Sequence, residues 1–425
     1  MTTTTELKVS EMAESLIGSE IIKIAAEISE RIRKGDKIYN LTIGDFSPSV
    51  FPIPAELTEE IIRAYREGNT NYPPANGMQE LREAVSGFIA ERQGLHYPAG
   101  QVLIGAGARP LIYALFQTLL DPGDKVVFPV PSWNNNHYCH LSRATAVMVQ
   151  ARPENNFMPV ADDIRPHLKG ATMLALCSPL NPTGTTFSKS ALEEICDLVL
   201  EENLRRGENE KPLYIFYDQI YWALTYGDTE HCDPVSLRPA LRDYTVFIDG
   251  MSKAFAATGI RVGWTFGPEK IMDKMKTILG HIGAWAPRAE QLACARYLDR
   301  KREVDGYLVH IRNEIYARLS AFHKGFRELS DEGFPVMAIS PQAAMYLTVK
   351  MDLKGWRKKN GTLITETQDI TSFLLEEASL ALVPFYAFGS PNDSVWYRLS
   401  VGTCTKEEIP EIITRLRSAL QQLSR

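Results

Sequence analysis

The sequence has few cysteines, and none of them lie at the spacing of a metal site. Its six cysteines include no Cys-x-x-Cys pair and are scattered at Cys139, Cys177, Cys196, Cys232, Cys294 and Cys404. This distribution indicates neither a disulfide framework nor a zinc site. Reduced thiols are the simplest interpretation, and we expect a cytoplasmic protein without a bound metal.

Long apolar runs and a strong net charge are also missing. No apolar run approaches the ~20 residues of a membrane span, and the segment after Met1 lacks the basic start and apolar core of a secretory signal. The 46 basic and 52 acidic residues give a net charge of -6, which offers no electrostatic footprint for nucleic acid. We therefore expect neither a membrane nor a nucleic-acid partner.

What is present is the composition of an ordinary globular protein. The chain has 425 residues, of which 44% are hydrophobic and 23% charged, enough for one large domain and a smaller one. An amphipathic helix is predicted over 10–34 and a long helical stretch over 288–328. We place an N-terminal helix and arm at 1–50, packing with the small domain, a large cofactor-binding domain at 51–290 and a small C-terminal domain at 291–425.

Strand and helix patterns alternate between 101 and 267 and give seven strands. Such alternation is typical of βαβ units, whose strands pair in parallel beneath helices. The predicted fold class is therefore α/β, with a seven-stranded, mostly parallel sheet sandwiched by helices. The remaining C-terminal strands and helices predict the smaller α+β domain.

The segment 250–263 is the strongest chemical signal. It follows the apolar strand 244–249, so Lys253 should lie just past a buried strand, where desolvation lowers the pKa of its amine. Such a lysine is a candidate nucleophile. Arg261, eight residues on, supplies a planar fork suited to phosphate. A lysine that condenses with an aldehyde, with Ser252 and Arg261 for a phosphate, is what a protein needs to hold pyridoxal phosphate; a surface lysine beside a structural arginine is the alternative.

Three further positions carry polar chemistry at strand ends or inside strands. Asp218 ends a buried strand, where a carboxylate needs a cation such as a protonated pyridine nitrogen. Arg398 stands in the apolar strand 396–400, where a guanidinium needs an anion such as an α-carboxylate. Trp133 ends another strand and could stack on a pyridine ring. The alternatives are a structural acid, an internal ion pair and a core tryptophan.

The lysine segment resembles the attachment motif of the class I/II aminotransferases, the fold-type I pyridoxal phosphate enzymes that include aspartate aminotransferase. It matches that motif at Gly250, Ser252, Lys253, Gly259, Arg261 and Gly263. Asn181-Pro-Thr-Gly, Asp218-x-x-Tyr221 and Arg398 occur in the family's order, and the resemblance spans roughly 36–420. The sequence departs from the family pattern at three places. They are Asp45-Phe46 after Gly44, Gln219, where the family usually has glutamate, and Arg109, where a smaller polar residue is more usual and whose orientation stays open.

The resemblance implies a role for each matching position around the cofactor. Lys253 would bind pyridoxal phosphate covalently and move the substrate's proton, Asp218 would face the pyridine nitrogen, and Trp133 would stack on the ring. Asn181 and Tyr221 would bind the phenolic oxygen. The phosphate would be held by Gly107, Ala108, Arg109, Ser252 and Arg261.

The resemblance also implies residues for the substrate and for a partner subunit. Gly44, Asn181 and Arg398 would bind the substrate carboxylate. Tyr72 would reach across a homodimer interface to the cofactor phosphate of the neighbouring subunit. For a second substrate carboxylate, Arg109, Arg288 and His281 are the candidates.

These roles predict an aminotransferase that moves an amino group between an L-amino acid and a 2-oxo acid. The alternative on the same fold is a lyase, such as a C-S lyase that eliminates a β or γ substituent. A cofactor-binding regulator is a remoter alternative, because the sequence has no basic DNA-binding segment. The amino acid and oxo acid stay open.

Overall fold

The computed structural model describes residues 8–18, 20–208 and 210–425. The helices of these residues are α1 (Glu11–Glu14), α2 (Glu20–Arg33), α3 (Ala55–Arg66), α4 (Gln79–Gln93), α5 (Ala108–Leu119), α6 (Asn135–Ser142), α7 (Ala161–Leu168), α8 (Lys189–Arg206), α9 (Pro234–Leu237), α10 (Met251–Ala254), α11 (Glu269–Ile282), α12 (Arg288–Leu298), α13 (Lys301–Asp331), α14 (Thr367–Glu377) and α15 (Glu408–Leu420). Short 3-10 turns lie at Ala99–Gln101, Pro153–Asn155, Pro239–Asp243, Thr258–Ile260 and Phe385–Phe388.

The strands form one large sheet and two small ones. They are β1 (Tyr39–Asn40), β2 (Val102–Gly105), β3 (Lys125–Val130), β4 (Thr145–Gln150), β5 (Ala171–Cys177), β6 (Tyr214–Asp218), β7 (Thr245–Gly250), β8 (Gly263–Phe266), β9 (Val336–Ala338), β10 (Tyr346–Met351), β11 (Leu380–Ala381), β12 (Val383–Pro384) and β13 (Trp396–Ser400).

The large sheet has seven strands in the order β2-β8-β7-β6-β5-β3-β4. The strands pair in parallel except β8, which runs antiparallel to both of its neighbours. This architecture confirms the predicted fold class.

Side chains of the central strands alternate between two helical layers. In β7, Phe247 belongs to the cluster formed with α4, α8 and α12, whereas Val246 and Ile248 join the cluster formed with α5, α6 and α11. Because successive side chains of a strand point to opposite faces, a continuous apolar run is what a doubly covered sheet requires. Each such buried side chain contributes about 1.5–3 kcal/mol.

The C-terminal third builds a second core. Its four-stranded antiparallel sheet has the order β12-β13-β10-β9 and packs with α13, α14 and α15. Strand β1 joins this part of the molecule, since Tyr39 pairs with Leu380 in a parallel two-stranded sheet with β11. The N-terminal arm thus crosses to the C-terminal core, while the domain limits at 50 and 290 stay predictions.

Two predicted helices are wrong in their continuity. The helix over 10–34 is divided into α1 and α2, because 15–18 leaves the helical path at a segment that ends in Gly18, which disfavours helix. The stretch over 288–328 is divided into α12 and α13. Arg300 takes a φ of -88° and a ψ of 71° at this break, and its guanidinium pairs there with the buried carboxylate of Glu60.

Candidate active site

A pocket of about 570 Å³ lies at the edge where the parallel strands of the large sheet end. Strands β5 and β6 bring Cys177 and Asp218 to this edge, and Lys253 follows the end of β7. Ligands of open parallel sheets bind at this end of the strands. The predicted residues that line the pocket are Gly44, Ala108, Arg109, Trp133, Asn181, Asp218, Tyr221, Ser252, Lys253, Arg261 and Arg398.

Lys253 lies in the short helix α10, immediately after the buried strand β7. Its Nζ donates a hydrogen bond to the carbonyl oxygen of Gly44 at 2.8 Å. Burial lowers the pKa of its amine to about 8, the nearby guanidinium groups act in the same direction, and Asp45 opposes them. A larger fraction of the amine is therefore neutral near pH 8 than for an exposed lysine, which makes it a better nucleophile.

Asp218 is a half-buried carboxylate without an ion pair in the described part of the chain. It accepts a hydrogen bond from the backbone N-H of Ile220 at 3.1 Å. Burial raises its pKa to about 6, against the attraction of the Lys253 ammonium. A buried carboxylate in this state is stabilised by a cationic ligand group, and a protonated pyridine nitrogen is such a group.

The turn before α5 and the guanidinium of Arg261 form one end of the pocket. Gly107 has a φ of +87°, and a Cβ there would overlap with Nη2 of Arg261. Arg261 donates to the carbonyl oxygens of Thr258 at 2.7 Å and Ala106 at 2.9 Å. With Ser252 nearby and the N-terminus of α5 facing the pocket, this end has the donors and charge for a phosphate.

Arg398 forms the opposite end of the pocket and is 1% exposed. Its Nη1 donates to Oδ1 of Asn181 at 2.9 Å and its Nη2 to the carbonyl oxygen of Thr42 at 2.5 Å. Its Nε has no partner among the described residues. A buried guanidinium with neutral partners alone keeps an uncompensated charge, which a substrate carboxylate would neutralise.

Three aromatic side chains, Trp133, Tyr221 and Tyr346, complete the walls. The ring of Trp133 lies 5.2 Å from the guanidinium carbon of Arg109, which lines the pocket and has no ion pair within the described residues. The hydroxyl of Tyr221 lies 2.7 Å from that of Tyr346, and burial raises the pKa of Tyr221 well above its ordinary value. The orientation of Arg109, which the sequence left open, is thus toward the pocket.

Comparisons with known proteins agree with this geometry. The family described as aminotransferase class I and II matches residues 36–416. The chain belongs to this family. The aspartate aminotransferase of Geobacillus stearothermophilus is 29% identical over 401 residues, covering 93% of this chain and 95% of that protein.

Solved structures have the same fold. The aspartate aminotransferase from Rhizobium meliloti superposes with a TM-score of 0.87 at 24% identity, covering 98% of this chain and 100% of the other. The aspartate aminotransferase from Thermus thermophilus, determined with maleate, gives 0.85 at 25% identity, covering 97% and 100%. The prediction of an aminotransferase, a transferase that depends on pyridoxal phosphate in this family, is confirmed.

Tyr72, Arg288 and His281 do not line this pocket. The side chain of Tyr72 is 80% exposed and meets Trp285 edge to face at 5.3 Å between ring centroids. Arg288 donates from Nη1 to the backbone oxygen of Tyr72 at 3.4 Å. Tyr72, Trp285 and Arg288 therefore lie together.

Sequence reasoning missed Tyr346, which lines the pocket of the aminotransferase between Tyr221 and Arg398. Its ring lies 4.7 Å from the guanidinium carbon of Arg398. The sequence around it predicts only a buried strand, because its two polar neighbours are distant in the chain. Asp45, seen before only as a departure from the family pattern, accepts a hydrogen bond from Oγ1 of Thr258 at 2.7 Å.

None of the helices in the described residues has the length and hydropathy of a membrane span.

Proposed function

We propose that this aminotransferase binds pyridoxal 5'-phosphate at Lys253 and transfers the amino group of an acidic L-amino acid to a 2-oxo acid. The observation that carries the proposal is that one pocket holds groups suited to each part of the cofactor and to the substrate carboxylate. A nucleophilic amine and a half-buried carboxylate without an ion pair among the described residues lie between a phosphate-type end at Arg261 and a carboxylate-type end at Arg398.

The residues present fit this cofactor. Gly107, Ala108, Ser252 and Arg261 would hold its phosphate, and Asp218 would keep its pyridine nitrogen protonated. Trp133 would cover one face of its ring. Bound there, pyridoxal phosphate supplies an electron-withdrawing ring that makes the Cα proton of an amino acid acidic. The glycine at 107 supports this assignment, since any side chain would occupy the space beside Arg261.

The protein groups then have separate tasks at the substrate. Arg398 and Asn181 fix the α-carboxylate, which orients the Cα-H bond toward Lys253. Lys253 Nζ, once free, takes the proton from Cα as a general base, and its pKa of about 8 suits that task near neutral pH. Tyr346 and Tyr221 enclose the pocket on the side of Arg398.

An acidic substrate is supported by the charge that remains after these assignments. Arg109 is a pocket cation with no ion pair in the described residues, whereas the other two candidates, Arg288 and His281, lie outside the pocket of the same subunit. The named relatives are aspartate aminotransferases, and one was crystallised with the dicarboxylate maleate. We infer that Arg109 binds the distal carboxylate.

The test is a half-reaction screen of the holoenzyme with single amino acids. Conversion of the bound cofactor to its amine form is followed by absorbance, and we expect aspartate and glutamate to convert it fastest. Arg109→Gln should raise the KM for aspartate by roughly 10- to 100-fold and leave that for alanine nearly unchanged, since the lost charge pair is worth about 1.5–3 kcal/mol. Release of pyruvate and ammonia without conversion would support a lyase instead.

We further propose a homodimer in which Tyr72 of each subunit contacts the cofactor phosphate of the other. The support is its position, because a tyrosine that is 80% exposed beside Trp285 and Arg288 presents a polar and aromatic surface to a partner.

A further inference from the structure

Two catalytic turns follow neighbouring strands of the large sheet. The turn after β6 carries Asp218 and Tyr221, and the turn after β7 carries Lys253. Backbone pairing joins the two strands up to Asp218 opposite Ile248, with a final hydrogen bond from the N-H of Gln219 to the oxygen of Ile248 at 3.0 Å. Beyond this point the backbone pairing ends, and a side-chain hydrogen bond joins the two turns.

Asp249 makes that contact. Asp249 is only 1% exposed. Its Oδ2 accepts a hydrogen bond from Nε1 of Trp222 at 2.8 Å. Its Oδ1 accepts from the backbone N-H of Gly250 at 2.7 Å. Trp222 directly follows Tyr221, and Gly250 directly precedes the helix that carries Lys253. One carboxylate therefore joins both turns.

The surroundings of Asp249 offer N-H donors and no cation within the described residues. Burial raises the pKa of Asp249 well above its ordinary value, and the carboxylate of Asp218 adds to this. A buried acid costs stability unless its hydrogen bonds repay the desolvation, so its presence behind the pocket needs a reason. The two hydrogen bonds to different turns supply one.

We propose that Asp249 is a positioning residue, whose hydrogen bond to Trp222 fixes the Lys253 turn relative to the Asp218–Tyr221 turn. The inference rests on the proposed function, because the positioned groups are those assigned to the cofactor. Neither Asp249 nor Trp222 lines the cofactor pocket, so both act through their neighbours.

The test compares Asp249→Asn, Trp222→Phe and the double variant in the holoenzyme. The asparagine of the first variant has one acceptor oxygen for the two N-H groups of Trp222 and Gly250, so one of them faces an amide NH2. The phenyl ring of the second variant removes the N-H of Trp222, so that in the double variant the remaining oxygen can accept from Gly250. We expect Asp249→Asn to lower kcat by roughly 10- to 100-fold through misplacement of reacting groups. Its bound cofactor should show a weaker circular dichroism band and a shifted pH midpoint of absorbance. The double variant should recover part of each loss.

Asp233→Asn is the matched control, since Asp233 is also a buried carboxylate with two backbone N-H donors, those of Val235 and Ser236. It lies outside the cofactor pocket, so it should change thermal stability but leave the dichroism band and the midpoint in place. Unchanged cofactor signals and kcat in Asp249→Asn, or strictly additive losses in the double variant, would overturn the inference. If Asp249→Asn does not fold, a Trp222→Phe protein with unaltered signals overturns it equally.

A failure of the proposed function is seen separately, in the wild-type protein. If wild-type protein does not form a covalent bond to pyridoxal phosphate at Lys253, the function is wrong and this inference falls with it. If wild type binds the cofactor and the variants keep the cofactor signals and kcat of wild type, the positioning role alone is wrong.

Discussion

At the scale of single residues, Lys253 combines burial with a usable amine. Its pKa of about 8 means that the neutral, reactive fraction rises as the pH rises through 8 rather than through 10.5. We expect the rate at which apoenzyme combines with pyridoxal phosphate to rise roughly tenfold from pH 6 to 7 and to level off above pH 9. Stopped-flow absorbance measures this rate, and a rise that continues to pH 10.5 would contradict the shift.

Asp45 provides a control for this prediction, because the direction of its effect on the pKa of Lys253 is known. Its carboxylate raises the pKa of Lys253 against the effect of burial. Asp45→Asn should therefore move the midpoint of the same pH profile to lower pH. A midpoint that moves upward would show that Asp45 acts on the amine in another way.

We expect the carboxylate of Asp218 to destabilise the apoenzyme and to strengthen the binding of pyridoxal phosphate. Its folded-state pKa of about 6 exceeds its ordinary value of 3.8, so the folded apoenzyme binds this proton more tightly than the unfolded chain. Stability is therefore lost as the pH rises from about 4 to 6. Asp218→Asn should stabilise the apoenzyme at pH 8 by up to about 3 kcal/mol, and by less at pH 5. Urea unfolding at the two pH values measures the difference.

The same substitution should weaken pyridoxal phosphate binding, because the pyridine nitrogen loses its carboxylate. A variant that is less stable than wild type at both pH values would contradict the account of Asp218 as an uncompensated buried charge. Equilibrium dialysis gives the cofactor affinity independently of turnover.

At the scale of elements, the turn between β2 and α5 depends on a glycine for two reasons. Gly107 has a φ of +87°, and a Cβ there would overlap with Arg261 Nη2. Gly107→Ala should cost about 1–3 kcal/mol of backbone strain and displace the guanidinium, so that the dissociation constant for pyridoxal phosphate rises at least about tenfold. Fluorescence titration of the apoenzyme measures this constant.

Gly123→Ala separates the effect of backbone strain from that of the contact with Arg261. Gly123 has a similar φ of +92° but nothing within 4 Å of its added Cβ. It should lose a similar amount of stability to strain and keep its cofactor affinity. Equal affinities in the two variants would show that the contact with Arg261 does not matter.

What the sequence could predict at this scale follows from chain distance. Continuous apolar runs determined the seven strands, and polar residues directly after them, such as Asp218 and Lys253, could be placed at one sheet edge. The hydrogen-bonded pairs Tyr221–Tyr346 and Trp222–Asp249 could not be predicted. The residues of each pair are distant in the chain and meet only in the folded structure. The break between α1 and α2 was also missed, since helical periodicity continues across 15–18 although the backbone does not.

At the scale of the whole molecule, the proposed homodimer would share each site between two subunits. Tyr72 does not line the pocket of its own chain, and its exposed side chain lies beside Trp285, with Arg288 donating to its backbone oxygen. Tyr72→Phe should raise the dissociation constant for pyridoxal phosphate by roughly 5- to 15-fold if its hydroxyl donates to a phosphate, since a hydrogen bond of this kind contributes about 1–1.5 kcal/mol.

A hybrid dimer decides between a shared site and an indirect effect. One subunit carries Lys253→Ala, the other Tyr72→Ala, and each has its own affinity tag. If Tyr72 acts across the interface, the subunit that keeps Lys253 receives an intact Tyr72 from its partner, so the hybrid has one complete site. We then expect half the wild-type activity per dimer, with wild-type cofactor affinity at that site. If Tyr72 acts within its own subunit, neither site is complete, and the hybrid should bind the cofactor no more tightly than Tyr72→Ala alone.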